Sequence, residues 1–302
     1  MDIRNNTPVL AMPAMLLVVE VIAILLALPM QEAGVAAFED PTSVANPFIF
    51  LGMLLVFTLI MLALVKLGGK KVILGLIALS ILFTFYYVFW TLCTLFFGFS
   101  LTGGVAAFAV AVLATALLFL YPEWYVIDGL GLLIAGGVAS IFGISLSVLP
   151  VILLLVMLAV YDAISVYKTG HMIALAEGIM DLKTPILFVI PKRRDYSFRT
   201  EGVEISKEKE ERGAFIMGMG DLIMPSILVV SAQVFLPGAK VWLLSVPALG
   251  AMAGSIVGMV LLIHFVLSGK PQAGLPPLNG GAILGFLAGC VLSGSWGWLA
   301  IL

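Results

Sequence analysis

Apolar residues fill the chain in long blocks, and polar residues are largely confined to the short stretches between them. A membrane-spanning helix needs about 20 mostly apolar residues. Runs near or above that length occupy residues 9–30, 48–66, 72–98, 103–121, 126–145, 149–167, 214–236, 241–267 and 278–302. The pattern predicts an all-α polytopic membrane protein with nine transmembrane helices. The shallowest separations are the Tyr121–Tyr125 corner and the Ser145–Ser147 turn before Pro150. The first run does not read as a signal peptide, because it is long and carries Glu20 near its middle. One stretch differs in kind. Residues 168–213 interleave nine basic and eight acidic side chains, and they divide the chain into a six-span part (1–167), a charged loop (168–213) and a three-span part (214–302). Within the loop, His171–Met180 reads as a short interfacial helix. Ile186–Ile190, bracketed by Pro185 and Pro191, reads as a short strand. Neither an internal repeat nor an inverted symmetry between halves is visible.

Composition agrees with the pattern. The 302 residues are 62% hydrophobic and only 11% charged, with a mean hydropathy of +1.21, whereas a soluble chain is about one quarter charged. Lipid is the partner that such a surface requires. The formal charge of −2 offers no basic field for nucleic acid. Cys93 and Cys290 lie in apolar stretches with no partner spacing, so neither a disulfide framework nor a metal site is expected. Basic residues also set an orientation. With the N-terminus in the cytoplasm, 14 of the 15 Lys and Arg residues fall on the inner side and only Lys240 falls outside. That asymmetry predicts a cytoplasmic N-terminus and an outside C-terminus.

Four carboxylates remain inside the spans: Glu20, Asp128, Asp162 and Asp221. An ionisable group in hydrocarbon is costly and is by default a candidate for function. Asp128 lies near the start of its span beside Glu123 and Tyr125, where an interfacial, structural place is favoured. Glu20 is deeper and has no evident partner in the sequence. Asp162 and Asp221 form a pair. Asp162 precedes Lys168 by six residues, about 9 Å from one end of its span. Asp221 follows Ala214 by seven, about 10 Å from the adjacent end if that segment is helical. Two antiparallel neighbours thus deliver two carboxylates to one depth. Two carboxylates in contact cannot both ionise, so one can accept a proton from water while the other polarises a peptide carbonyl. That chemistry needs neither metal nor cofactor, and none is expected. Gly218-Met219-Gly220 precede Asp221, and glycines there cost helix stability while allowing close backbone approach.

Tyr161-Asp162 in the sixth of nine spans, followed after a long loop by Gly218-Met219-Gly220-Asp221 in the seventh, resembles the presenilin and signal-peptide-peptidase family of GxGD intramembrane aspartyl proteases. The resemblance implies that Asp162 and Asp221 are catalytic and that Tyr161, Gly218, Met219 and Gly220 belong to the substrate site. The family's third signature is Pro-Ala-Leu at the start of the ninth span. A literal Pro247-Ala248-Leu249 falls inside the eighth span, and the positional counterpart is Leu275-Pro276-Pro277-Leu278. The N-in orientation looks like presenilin, whereas Pro225 in GDLIMP looks like the signal-peptide-peptidase pattern.

The resemblance implies hydrolysis of peptide bonds within transmembrane segments, with single-span membrane proteins or signal peptides as substrates. A substrate helix must unwind before cleavage, because its carbonyls are hydrogen-bonded. Strand-prone Ala214–Met217, with Ile186–Ile190 as a second strand beside it, is the expected template for the unwound segment. Leu275–Leu278 is expected to hold it from the other side, with prolines that forbid a regular helix start. Other classes compete: a proton-coupled transporter, a prepilin-type GxGD peptidase, and a noncatalytic scaffold or ion-leak channel. The transporter lacks repeat symmetry and a basic partner within the spans, and the peptidase ordinarily has fewer spans. Gly250, Gly254 and Gly258, with Gly281, Gly285 and Gly289, suit close helix contact. His264 reads as interfacial, and Phe83–Trp90 as packing or lipid-facing surface.

Overall fold

The computed structural model describes residues 3–169, 187–193, 195–201, 213–236, 238–267 and 272–301. The expected interfacial helix His171–Met180 and much of the charged loop lie outside the described residues. Among the described residues, eight helices are long and apolar enough to cross a membrane. These are α1 (Ile3–Glu32), α2 (Asn46–Lys66), α3 (Lys70–Phe97), α4 (Leu101–Leu120), α5 (Trp124–Ser145), α6 (Val148–Ile164, extended by a π turn at Ser165–Thr169), α8 (Val246–Leu267) and α9 (Leu275–Ser293). Between α6 and α8 lies α7 (Met219–Phe235), which is shorter at 17 residues.

Several boundaries differ from the hydropathy reading. The run 214–236 is not helical throughout: Ala214–Gly218 is a strand, β2, and the helix starts at Met219. The last span starts earlier, at Leu275, and ends at Ser293, where Gly294 in a left-handed conformation leads to a 3-10 turn at Gly297–Ile301. Residues 240–245 form a small hairpin of β3 (Lys240–Val241) and β4 (Leu244–Ser245), so α8 starts only at Val246 and Pro247-Ala248-Leu249 opens it.

The bundle has an inner and an outer part. α7 touches α1, α5, α6, α8 and α9. Ten of its residues from Leu222 to Ala232 are buried, which is why this helix is apolar on every side. By contrast, α2 exposes most of its length, and α3 and α4 pack mainly on each other. The aromatic run Phe83–Trp90 serves both purposes read from the sequence: Phe85 and Val88 are buried, whereas Phe83 and Tyr87 face outward.

The tightest contact is between α8 and α9. A Cβ placed on Gly254 would strike the Gly281 carbonyl oxygen, one on Gly285 would strike that of Gly250, and one on Gly258 would strike that of Pro277. The obstacle in each case is backbone, which has no rotamer to move. Membrane helices gain nothing from hiding Leu from lipid, so close van der Waals contact along small residues holds such a pair. Glu20, fully buried on α1, finds the partner that local sequence does not show: Ser255 of α8, at 2.6 Å.

The described part of the charged loop folds onto α5. β1 (Leu187–Pro191) pairs antiparallel with β2 (Ala214–Gly218), Val189 facing Ile216. The expected strand is thus present over Leu187–Ile190 and continues to Pro191, with Ile186 outside the described residues. Val189, Tyr196, Phe198 and Ala214 bury against Ile127 and the half-buried Trp124. Burial, with Glu201 and Glu123 nearby, pushes the Tyr196 phenol up to about 12, so it stays neutral in this cluster at physiological pH. Asp128 accepts the Val189 N–H at 2.8 Å, and Glu123 accepts the Ser197 hydroxyl at 2.8 Å. The interfacial carboxylates of α5 therefore hold the hairpin, and Asp128 occupies the edge of β1 that faces away from β2.

Gly254→Val should lower stability by roughly 1–3 kcal/mol or more, the usual cost of overpacking. Gly280→Ala, whose Cβ meets nothing within 4 Å, should be neutral or slightly stabilising; thermal unfolding in detergent separates the two. Asp128→Leu should strand the buried Val189 amide at about 1–3 kcal/mol and speed its hydrogen exchange. Asp128→Asn keeps an acceptor oxygen and should leave exchange close to wild type.

Candidate active site

Asp162 lies two residues before the end of α6 at Ile164 and is 6% exposed. Asp221 is the third residue of α7, after Gly218 in extended conformation at the N-cap. Its position is therefore not a turn or two inside a helix, as continuous helicity from Ala214 would have it, but in the first turn. The helix N-terminus sets partial positive charge beside this carboxylate. Pro225 lies inside α7. Having no N–H, it cannot donate to the carbonyl four residues earlier, which is that of Asp221.

The segment before α9 meets both aspartates. Leu275 N–H donates to Asp162 Oδ2 at 3.0 Å, and the Gly274 amide is directed at the same carboxyl. On its other side, Gly274 lies so close to Asp221 that a Cβ there would sit 3.0 Å from Oδ1 and 3.2 Å from Oδ2. The two carboxyls are near enough to interact electrostatically. A side chain at 274 would press on the Asp221 carboxyl, so glycine there leaves room for a carboxylate on one face and a donated amide on the other.

Leu275, Pro276, Pro277 and Leu278 form the first turn of α9. The prolines do not prevent a regular helix start. First-turn N–H groups have no intrahelical acceptor, so proline costs little there. Leu278 is fully buried, and the Pro277 carbonyl abuts Gly258 across the glycine seam. Asn279, next in the chain, donates from Nδ2 to the Leu155 carbonyl of α6 at 3.0 Å and is fully buried. α9 is thereby fixed both to α8 and to the helix that carries Asp162. Met219 is buried with its Cε against Gly131 of α5, whereas Gly220 has open space where a side chain would be. The Tyr161 carbonyl accepts the Ser165 hydroxyl at 2.7 Å.

A cleft of about 210 Å³ opens beside Asp221, lined by Met12 of α1, the β2 residues Phe215–Gly218, the last turns of α8, and Gln272 with Gly274. The Lys192 N–H bonds the Gly213 carbonyl, and antiparallel alternation then turns the N–H and C=O groups of Ala214, Ile216 and Gly218 away from β1. No strand among the described residues pairs with that edge. His264 is exposed near the end of α8 and is not among the cleft residues. Among the described residues no group of His, Cys, Asp and Glu is arranged to hold a metal ion. Gly274, Gln272 and Asn279 are site neighbours that reading the sequence passed over; Asn279, a polar residue inside an apolar run, is the one with a visible signal.

Comparison with known proteins agrees with this arrangement. Residues 13–295 match the family described as signal-peptide peptidase, presenilin aspartyl protease. No curated protein matches the chain. Two solved structures of a presenilin family intramembrane aspartate protease, in C222 and P2 crystal forms, are each 52% identical to it. They superpose with TM-scores of 0.71 and 0.70, spanning 94% of this chain and 99% and 98% of theirs. With the family matched over nearly the whole chain and two carboxylates facing one another inside a helical membrane bundle, the protein belongs to the presenilin and signal-peptide-peptidase family of intramembrane aspartyl proteases, multi-pass membrane enzymes that act on transmembrane substrates within the lipid bilayer.

Proposed function

We propose that Asp162 and Asp221 are the catalytic pair and that they share one proton. The ionised carboxylate takes a proton from water, and the water oxygen attacks the scissile carbonyl carbon. The protonated carboxyl supplies its proton to the carbonyl oxygen, giving a gem-diol. Transfer of a proton from the pair to the amide nitrogen, with return of a gem-diol hydroxyl proton to the other carboxylate, breaks the C–N bond, releases acid and amine, and restores the singly protonated pair. Which residue starts as base is a property of the pair rather than of either member. What carries this reading is the contact of one segment, Gly274–Leu275, with both carboxyls: an N–H at 3.0 Å from Asp162 Oδ2, and a Cα without a side chain beside Asp221.

The substrate enters as a helix and is cut as a strand. An unwound transmembrane segment exposes amides and carbonyls that hydrocarbon cannot satisfy. The outward groups of Ala214, Ile216 and Gly218 offer it a ladder. Such a ladder leads directly to Asp221, three residues beyond Gly218. Gly218-Met219-Gly220 shape that junction, with Met219 anchoring it against α5. Tyr161 and the Leu275–Leu278 turn close the opposite wall. Single-span membrane proteins or signal peptides are the expected substrates, since their one helix can unwind without pulling on neighbours. The basic-residue asymmetry orients the chain with its N-terminus in the cytoplasm and its C-terminus outside, so the cleft opens toward the cytoplasm. The 1–167 and 214–302 parts each contribute one aspartate, and the 168–213 loop contributes β1.

Purified wild type should cleave a single-span test substrate within its span. Asp162→Asn and Asp221→Asn, folded by elution profile, should each lose roughly 10²–10⁴-fold in kcat, the ordinary loss for a positioned acid or base. Cleavage at wild-type rate by either folded variant would refute the pair. Ile216→Pro removes an outward N–H that β1 does not use, so the hairpin should persist while cleavage of a helical substrate falls by about tenfold or more, the loss expected when backbone pairing is denied. Unchanged cleavage by this variant would remove β2 as the docking edge.

A further inference from the structure

Tyr167 lies in the π turn Ser165–Thr169 that ends α6. Its hydroxyl donates to Gln272 Oε1 at 2.9 Å and accepts the Ala273 N–H at 3.3 Å. Both partners immediately precede Gly274 and Leu275, the residues that meet the aspartates. One phenol oxygen thus joins the helix carrying Asp162 to the segment that donates to it.

The register of α6 shows how this comes about. On a regular α-helix, residues five apart point about 140° away from each other. The wider turn after Asp162, of a kind often found at functional sites, alters that angle. Both side chains then reach a single four-residue segment: Asp162 contacts Leu275, and Tyr167 contacts Gln272 and Ala273. Packing does not explain the residue, because Tyr167 is 60% exposed and its ring buries little apolar surface. The segment also lacks a local anchor. Gly274 is the N-cap of α9 and has no side chain with which to cap it. Gln272 and Gly274 line the cleft beside Asp221, so a displacement of this segment moves a cleft wall and the Asp162 donor together.

We propose that Tyr167 is a positioning residue, a strut that holds Gln272–Leu275 against the two aspartates and so fixes which substrate bond lies over them. The inference rests on the reading of Asp162 and Asp221 as the catalytic pair. A loosened segment lets neighbouring bonds reach the carboxyls in turn, so the signature of the strut is a change in where cleavage occurs as well as in its rate.

The test uses the purified full chain, a single-span substrate, kcat and KM, and mass analysis of the products. Tyr167→Phe keeps the ring and removes only the shared oxygen. It should elute as wild type, lose about tenfold in kcat, as expected for two lost hydrogen bonds, hold KM within about twofold, and spread its products over adjacent bonds. Gln272→Ala, which leaves the Ala273 contact in place, should shift products in the same direction to a smaller extent and provides the decision if Tyr167→Phe does not fold. Wild-type rate and product pattern would overturn the proposal, and so would a lower rate with an unchanged pattern, which is what a merely structural loss produces. Asp162→Asn and Asp221→Asn run in parallel keep the two readings apart. If these still cut, the catalytic pair is wrong; if they are inert while Tyr167→Phe matches wild type, only the strut falls.

Discussion

The arrangement depends on backbone lying against backbone along α8 and α9. Hydrophobic burial cannot hold two apolar helices together in lipid, because lipid solvates Leu as well as protein does. Glycines at 250, 254 and 258 facing 281, 285 and 289 substitute contact area at very short range, with the opposing carbonyls where side chains would otherwise be. The seam runs to Pro277 and ends two residues from Leu275. It therefore sets the height and rotation of the first turn of α9, and with them the place where the Leu275 amide stands against Asp162. Asn279 adds a second constraint, from α9 to α6. A side chain anywhere in the seam would lift this turn away from the carboxyls without touching them.

A peptide bond can be hydrolysed in hydrocarbon only where backbone polar groups have somewhere to go. The hairpin of β1 and β2 answers that need asymmetrically. Asp128 takes the outward amide of β1, whereas the outward groups of β2 face a cleft. An open strand edge is ordinarily a liability that proteins cover or charge. Here one edge is covered by a carboxylate from the bundle and the other is left open next to Asp221. The same hairpin is held by Trp124, Ile127 and Glu123 of α5, so the position of the open edge is fixed by a membrane helix rather than by the loop from which it comes.

The spans were legible from hydropathy because their signal is local and repeated over 20 residues. Asp162 and Asp221 stood out because a carboxylate inside such a run violates its composition, and their opposite directions along the chain brought them to one level. The start of α7 was misread for a physical reason: Ala214-Phe215-Ile216-Met217 is as apolar as the helix that follows, and periodicity cannot separate a short buried strand from a helix end. The prolines of Leu275–Leu278 were given too much weight, since a helix tolerates them in its first turn. What remained invisible was pairing at long separation. Asp128 reaches Val189 across 61 residues, Tyr167 reaches Gln272 across 105, and Asn279 reaches Leu155 across 124. Each is a polar residue whose partner only the fold supplies.

The shortness of α7 follows from the same constraints. Seventeen residues rise about 26 Å as a helix, less than the roughly 30 Å of a hydrocarbon core. β2 makes up the distance, because five extended residues add about 16 Å. The apolar run 214–235 is thus partly strand and partly helix, and the change occurs at Gly218, where the backbone is extended and the helix has yet to begin. Irregular backbone at that depth is tolerated only beside protein or a water-filled cavity. Placing Asp221 in the first turn after the change sets it where the dry span meets the cleft. The cleft lined by β2 then opens beside the carboxylate itself, with no channel needed through the buried body of α7.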